Sequence, residues 1–121
     1  GDVYKRQHKG TANFHLLFLF KLTRYLGFNP DVKKSDEEYF DLVEGSFSRS
    51  RPLNPFIEKE KIVLFKSLIG INFDDLDSLR LNARKRQILM EVLMSYYGLH
   101  LEGFKEPKSL NVLKYVFNEI S

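Results

Sequence analysis

From Phe14 to Leu26 nearly every position is apolar: Phe14, Leu16–Phe20, Leu22, Tyr25 and Leu26. A run such as LLFLF could be a buried strand. The length of the segment, its polar flanks and Gly27 predict instead a helix over 11–26. Thr11 or Asn13 can cap its start, and Pro30 prevents its continuation. Apolar residues all round the circumference predict an interior helix covered on several sides. Lys21 and Arg24, three apart, put its only full charges on one face.

The period changes in YFDLVEGSFS, residues 39–48. Tyr39, Asp41 and Val43 alternate with Phe40, Leu42 and Glu44, and Glu44-Gly45 supplies a turn. This predicts a short β-hairpin, which must lean on the helices because two strands alone are marginal. SRSRPLNP, residues 48–55, reads as a loop. Ile62, Phe65 and Ile69, with Gly70 as the stop, predict a helix over 57–69. INFDDLDSLR reads as a short turn or a one-turn helix, for which Asn72 can serve as cap. Residues 83–101 are expected to form the longest helix, capped by Asn82, with Ile88, Leu89, Val92, Leu93, Tyr96 and Leu99 as its stripe. After the loop EGFKEP, residues 108–120 predict a last helix with Leu110, Leu113, Phe117 and Ile120 inward. The expected fold is mainly α: a small helical array with one short β-hairpin inserted after the first helix.

Length and composition narrow the classes. The 121 residues suit one domain, and 43% hydrophobic with 29% charged residues is a globular balance. Eleven Phe and six Tyr, without Trp, predict a core of large rings. There is no Cys, which excludes disulfides, thiolate zinc sites and cysteine nucleophiles. His8, His15 and His100 have no metal-ligand spacing. The longest apolar run is far shorter than the ~20 residues that span a bilayer. These features read as a soluble, cytoplasmic domain without a cofactor. The formal charge of +3 permits a nucleic-acid partner without demanding one.

NARKRQ, residues 82–87, breaks a local rule. Arg84, Lys85 and Arg86 fall in the first turn of a helix, whose partial positive charge disfavours cations there by ~0.3–1 kcal/mol each. Either the cluster binds an anion, such as a phosphate or a peptide carboxylate, or Asp74, Asp75 and Asp77 fold back and neutralise it. DDLD lacks the spacing and the Gly of a calcium loop. His15 and His100 read as satisfied core or boundary residues. Ser46, Ser48 and Ser50 have no nearby His to activate them, and no phosphate-binding or nucleophile motif occurs, so nothing supports an enzyme. Aromatic and basic residues together can stack unpaired bases, but at these helical spacings the rings read as core.

NFHLLFLFKLTRYLGFNPD, YFDLVEGSF and LMSYYGLHLEGFKEPKSLNVLKYVF, in that order and spacing, resemble the C-terminal helical domain of the recombination mediator and DNA repair family RecO. The resemblance runs from about residue 12 to the end. Its most specific pieces are Arg24–Phe28, Phe40–Gly45 and Tyr96–Leu113. It implies an N-terminal OB-fold that binds single-stranded DNA and lies outside this chain. It also implies work with RecR to load RecA on strands coated by the single-stranded DNA-binding protein SSB, and strand annealing. In some members the helical domain binds the acidic SSB tail. Many members carry a four-Cys zinc module, whose matching stretch here, residues 31–51, has no Cys. The hairpin is therefore expected to rest on packing.

An acidic-hydrophobic tail ending in a carboxylate needs an apolar groove rimmed by cations. Lys21, Arg24, Arg84, Lys85, Arg86 and Lys108 are the candidates for binding the SSB tail or DNA. The rival expectation is an unrelated all-helical nucleic-acid-binding or regulatory domain with a basic helix start. Residues 1–7, GDVYKRQ, have no periodicity and no helix start. Asp2–Gln7 reads back as GAT GTG TAT AAG AGA CAG, which resembles a transposon end used as a sequencing adapter. That heptapeptide is expected to be foreign, and residues 8–121 to be the RecO-like domain.

Overall fold

A computed structural model of the chain describes residues 2–101, with side chains from residue 11 onward. Helix α1, Asp2–Leu26, begins well before Thr11. Extending a nucleated helix costs little per residue, and Lys, Arg and Gln are good helix formers, so the absence of an apolar period did not end it. At 25 residues α1 is also longer than α3 (18 residues, Ala83–His100), against the expected order. The predicted last helix lies outside the described residues.

A three-stranded antiparallel sheet follows, in the order β2-β1-β3. β1 (Tyr39–Asp41) pairs with β2 (Ser46–Ser48) as expected. The third strand, β3 (Phe56–Ile57), was not expected; it is the start of what read as the second helix. Helix α2 begins only at Lys59, whose φ of +53° breaks the chain direction between strand and helix, and runs to Lys66. Two residues carry no readable period. The nearby signal comes from Pro55, which has no N–H to give but accepts from the Leu42 N–H at 2.9 Å.

The turn between β1 and β2 needs Gly45. Its φ is +68°, and a Cβ there would stand 2.9 Å from the Tyr96 hydroxyl. The carboxylate of Asp41, itself buried, closes the turn: Oδ1 accepts from the Val43 and Glu44 N–H groups, both at 2.9 Å. Oδ2 accepts from the Asn54 amide at 3.1 Å. Phe40 is the sheet's anchor, fully buried, with ring centroids 4.6 Å from Phe65, 4.8 Å from Phe47 and 5.8 Å from Tyr96.

The short 3-10 helix Phe73–Ser78 has Asn72 and Asp75 as a reciprocal capping box. Asn82 caps α3 by accepting from the Lys85 N–H at 2.8 Å. Leu89, Val92, Leu93, Met94, Tyr96 and Tyr97 of α3 are buried, whereas Leu99, expected inside, is exposed. The phenols bind backbone at long range: Tyr97 donates to Leu19 O at 2.7 Å, and Tyr96 donates to Phe28 O. Burial raises both phenols, Tyr96 to about 12. His100 Nε2 is 2.6 Å from Leu42 O, and its ring stacks on Phe28. It is a satisfied boundary residue, as expected.

His15 is 8% exposed, and burial lowers its pKa from 6.5. The charged form is thus disfavoured by folding, so the unfolded chain takes the proton first. Stability is expected to fall as the pH drops below 6.5. His15→Gln should flatten this fall, measured as the difference in unfolding midpoint between the two proteins across pH. Parallel profiles would count against burial of a neutral ring.

Candidate ligand-binding site

The outer face of α1 is where the structure departs most from the expected interior helix. Leu16, Leu17, Leu19 and Thr23 are buried, but Phe14, Phe18 and Tyr25 are exposed. A groove of about 430 Å³ opens at the C-terminal half of this face. Phe18, Lys21, Arg24 and Tyr25 of α1 form one wall. Asn29, Pro30 and Val32 form a second, and Ile69 and Phe73 close the far side.

Local chemistry places each wall. Gly27, at φ +92°, ends α1 and turns the chain back, with the Phe28 N–H bound to Thr23 O at 3.0 Å. Phe28 then anchors in the core against Tyr96, Tyr97 and His100. The Asp31 N–H donates to Gly45 O at 2.8 Å, and Asp31 bridges to Ser46, so the second wall is tied to the hairpin. Gly70, at φ +78°, ends the turn after α2 and leads to Phe73.

Lys21 Nζ stands 5.8 Å from the centroid of the Phe73 ring. Neither Lys21 nor Arg24 has a carboxylate within 4 Å among the described residues. The C-terminal end of a helix carries partial negative charge, which favours these cations but not an anion. Among the described groove residues, Lys21 and Arg24 are the charged groups that an anionic group entering here would meet. The groove thus offers aromatic and aliphatic walls, with two cations on one rim that have no carboxylate partner among the described residues.

The structure does not bring the 84–86 cluster to this groove. Arg84 forks onto Glu60, Nη1 to Oε1 at 3.1 Å and Nη2 to Oε2 at 2.6 Å, and holds that carboxyl below its ordinary range. Arg86 donates to Leu81 O at 2.6 Å. Lys85 has no carboxylate within 4 Å among the described residues. The expected partners, Asp74, Asp75 and Asp77, are not the neutralisers. Asp75 instead accepts from the Asn72 N–H at 3.4 Å, because its place in the capping box satisfies a nearer donor. No local pattern signals Glu60, which lies on another helix. Lys108 lies outside the described residues.

The groove's aromatic members were missed as site residues for a specific reason. Phe14, Phe18, Lys21 and Tyr25 share a helix face at i, i+4, i+7 and i+11. An all-round apolar helix hides which face is exposed. The stretch 31–51 holds neither Cys nor His, so its residues do not fit a thiolate zinc module; Asp41 is spent on closing the hairpin. Among the described residues no helix is long and apolar enough to cross a membrane.

Comparison with known proteins gives the following. The family model described as recombination protein O C terminal matches residues 3–110. The DNA repair protein RecO of Flavobacterium psychrophilum is 45% identical over 111 residues, covering 92% of this chain and 46% of that protein. The protein of the same name from Christiangramia forsetii is 44% identical over 106 residues, covering 88% and 44%. That of Bacteroides fragilis is 33% identical over 110 residues, covering 88% and 46%. The chain thus spans less than half the length of these relatives. No solved structure matches.

Proposed function

Because the chain belongs to the RecO family through its C-terminal domain, we propose that it serves DNA repair and homologous recombination in the cytoplasm as the interaction module of a recombination mediator. In this reading the longer protein helps load RecA on SSB-coated single strands and anneals complementary strands, with RecR as a partner. The OB-fold outside this chain would supply most of the contact with DNA. The helical domain docks the acidic tail of SSB in the α1 groove. The observation that carries this assignment is the pairing of Lys21 and Arg24, free of carboxylate partners among the described residues, with the walls of Phe18, Tyr25, Ile69 and Phe73. An apolar terminal side chain can be buried there while its carboxylate meets the two cations.

Arg84, Lys85 and Arg86 take second place in this proposal, as charges that steer acidic or nucleic-acid partners; Lys108, outside the described residues, is kept as a candidate by its charge alone. The test is a fluorescent acidic peptide ending in a free aromatic residue, titrated against the chain. Lys21→Glu with Arg24→Glu should weaken its binding at least about tenfold, since like charges then face the peptide. Arg84→Ala with Lys85→Ala and Arg86→Ala should weaken it less. Equal affinity for the wild type and the Lys21/Arg24 variant, both folded by circular dichroism, would remove the groove from the proposal.

A further inference from the structure

We propose that α1 and the 3-10 helix beside it form a self-complementary surface on which a second copy of this chain docks. Phe14, Phe18 and Phe73 are 41%, 43% and 40% exposed. They hold one another. Phe14 and Phe18 lie within 13° of parallel with centroids 6.1 Å apart, Phe14 meets Phe73 at 5.1 Å, and Lys21 Nζ stands over the Phe73 ring. The rings are thus fixed as one patch before any partner arrives, which spares an association the cost of ordering them. A contiguous cluster of large rings in solvent marks a contact surface.

Charge identifies the occupant. The 3-10 helix runs back along α1: Phe73 touches Phe14 and Lys21, and beyond the helix's far end Leu79 O accepts from the Asn13 amide at 3.2 Å. Asp74 and Asp77, three apart and so on one edge of that helix, are exposed and have no cation within 4 Å among the described residues. They lie toward the Asn13 end of the patch. Arg80 follows them, but three aspartates, Asp74, Asp75 and Asp77, against one arginine leave that end acidic. Lys21 and Arg24, which likewise have no carboxylate partner among the described residues, lie toward the Gly27 end. The patch thus carries carboxylates at one end, rings in the middle and cations at the other. A two-fold axis passing Phe18 at right angles to α1 lays two copies antiparallel, rings on rings. Lys21 and Arg24 of each copy then face Asp74 and Asp77 of the other, in an isologous contact that closes at two copies. A wholly acidic partner covering the same patch would be repelled at the Asp74–Asp77 end. From Phe14 to Tyr25 the face runs about 16 Å, at ~1.5 Å per residue, and two helices side by side make it roughly 20 Å wide. A few hundred Å² per copy falls short of the ~800 Å² of a stable complex, so the dimer is weak, with a Kd on the order of 100 μM.

Phe18, Lys21 and Phe73 also line the groove, so pairing closes it to an acidic peptide. The dimer itself does not rest on the peptide reading. The experiment is sedimentation equilibrium of the full chain at concentrations up to about 1 mM, ten times the expected Kd. Reversible dimerisation that weakens with added salt is expected. Lys21→Glu with Arg24→Glu, and separately Asp74→Lys with Asp77→Lys, should each weaken it at least about tenfold, because like charges then meet across the axis. An equimolar mixture of these two variants should associate at least as well as wild type, since one then carries carboxylates at both ends of the patch and the other cations at both. Phe18→Glu, which sets two carboxylates against each other at the axis, should also weaken the dimer at least about tenfold. Circular dichroism checks that each variant is folded; if a charge pair unfolds the chain, Phe18→Glu, on an exposed residue, decides. A wild-type chain that stays monomeric at about 1 mM, a mixture no more associated than its folded components, or wild-type association in Phe18→Glu overturns the proposal. An acidic peptide separates the two readings. If it binds the groove and leaves the dimer intact, the copies meet elsewhere and the proposal fails while the groove assignment stands. If it does not bind, and the mixture still associates, the dimer stands and the groove assignment fails.

Discussion

Phe40→Ala is expected to lower the unfolding free energy by about 3–5 kcal/mol, the range for deleting a buried ring. Phe40 is fully buried and occupies the middle strand, paired across to Phe47 on one side and Ile57 on the other. Its ring is the common neighbour of Phe47, Phe65 and Tyr96, which come from β2, α2 and α3. Those rings are held by their own backbones and cannot all move inward to fill the space. The residual cavity therefore adds to the lost transfer energy. Such a loss is a large part of the ~5–15 kcal/mol that holds a typical domain together. Phe40→Leu should lose much less, because it keeps most of the volume. Phe14→Ala, on an exposed ring, should stay within about 0.5 kcal/mol of wild type. Chemical denaturation of the three variants checks the ranking. A Phe40→Ala loss below about 1 kcal/mol would mean that the rings are not packed as described.

That contrast between Phe40 and Phe14 also marks how far the sequence could be read. Elements with a strong period or a cap were legible: the hairpin around Gly45, the Asn72 and Asn82 caps, and the α3 stripe from Leu89 to Tyr96. β3 was not, because two residues beside Pro55 cannot display a period and were absorbed into the following helix. Site residues divided in the same way. Lys21 and Arg24 stood out as charges on an apolar helix, and the structure places both on the groove. Phe18, Phe73 and Tyr25 did not stand out, because exposure of a ring is decided by what packs against the helix rather than by spacing. Arg84 was legible as an anomaly but not as half of an ion pair. Glu60 reaches it from a different helix, and tertiary contact overrides the local charge pattern that pointed to the nearer aspartates.

Asp41→Ala should act on stability and on the groove together. Its carboxylate accepts three hydrogen bonds, and bonds to charged groups contribute ~1.5–3 kcal/mol each when measured singly. They share one acceptor group, so their losses do not add, and Val43 and Glu44 are exposed enough for water to reach their N–H groups. A net loss of about 2–3 kcal/mol is expected. Asp41→Asn keeps an acceptor for the turn and can still pair with the Asn54 amide if that amide flips, so it should lose about half as much. The further consequence runs through Gly45. Its carbonyl accepts from Asp31, and its N–H is held by Asp41 O at 2.8 Å. Loosening the turn therefore releases the strap 29–32, which forms the second wall of the groove. Under conditions where the variant is folded, Asp41→Ala should weaken the acidic peptide several-fold although residue 41 lines no part of the groove. Asn54→Ala, which removes only the bond on the side away from Gly45, should lose stability but leave peptide affinity unchanged. Equal peptide affinity in Asp41→Ala and wild type would show that the strap keeps its place without the hairpin turn. The groove would then owe its shape to Phe28 and its stacked partners alone.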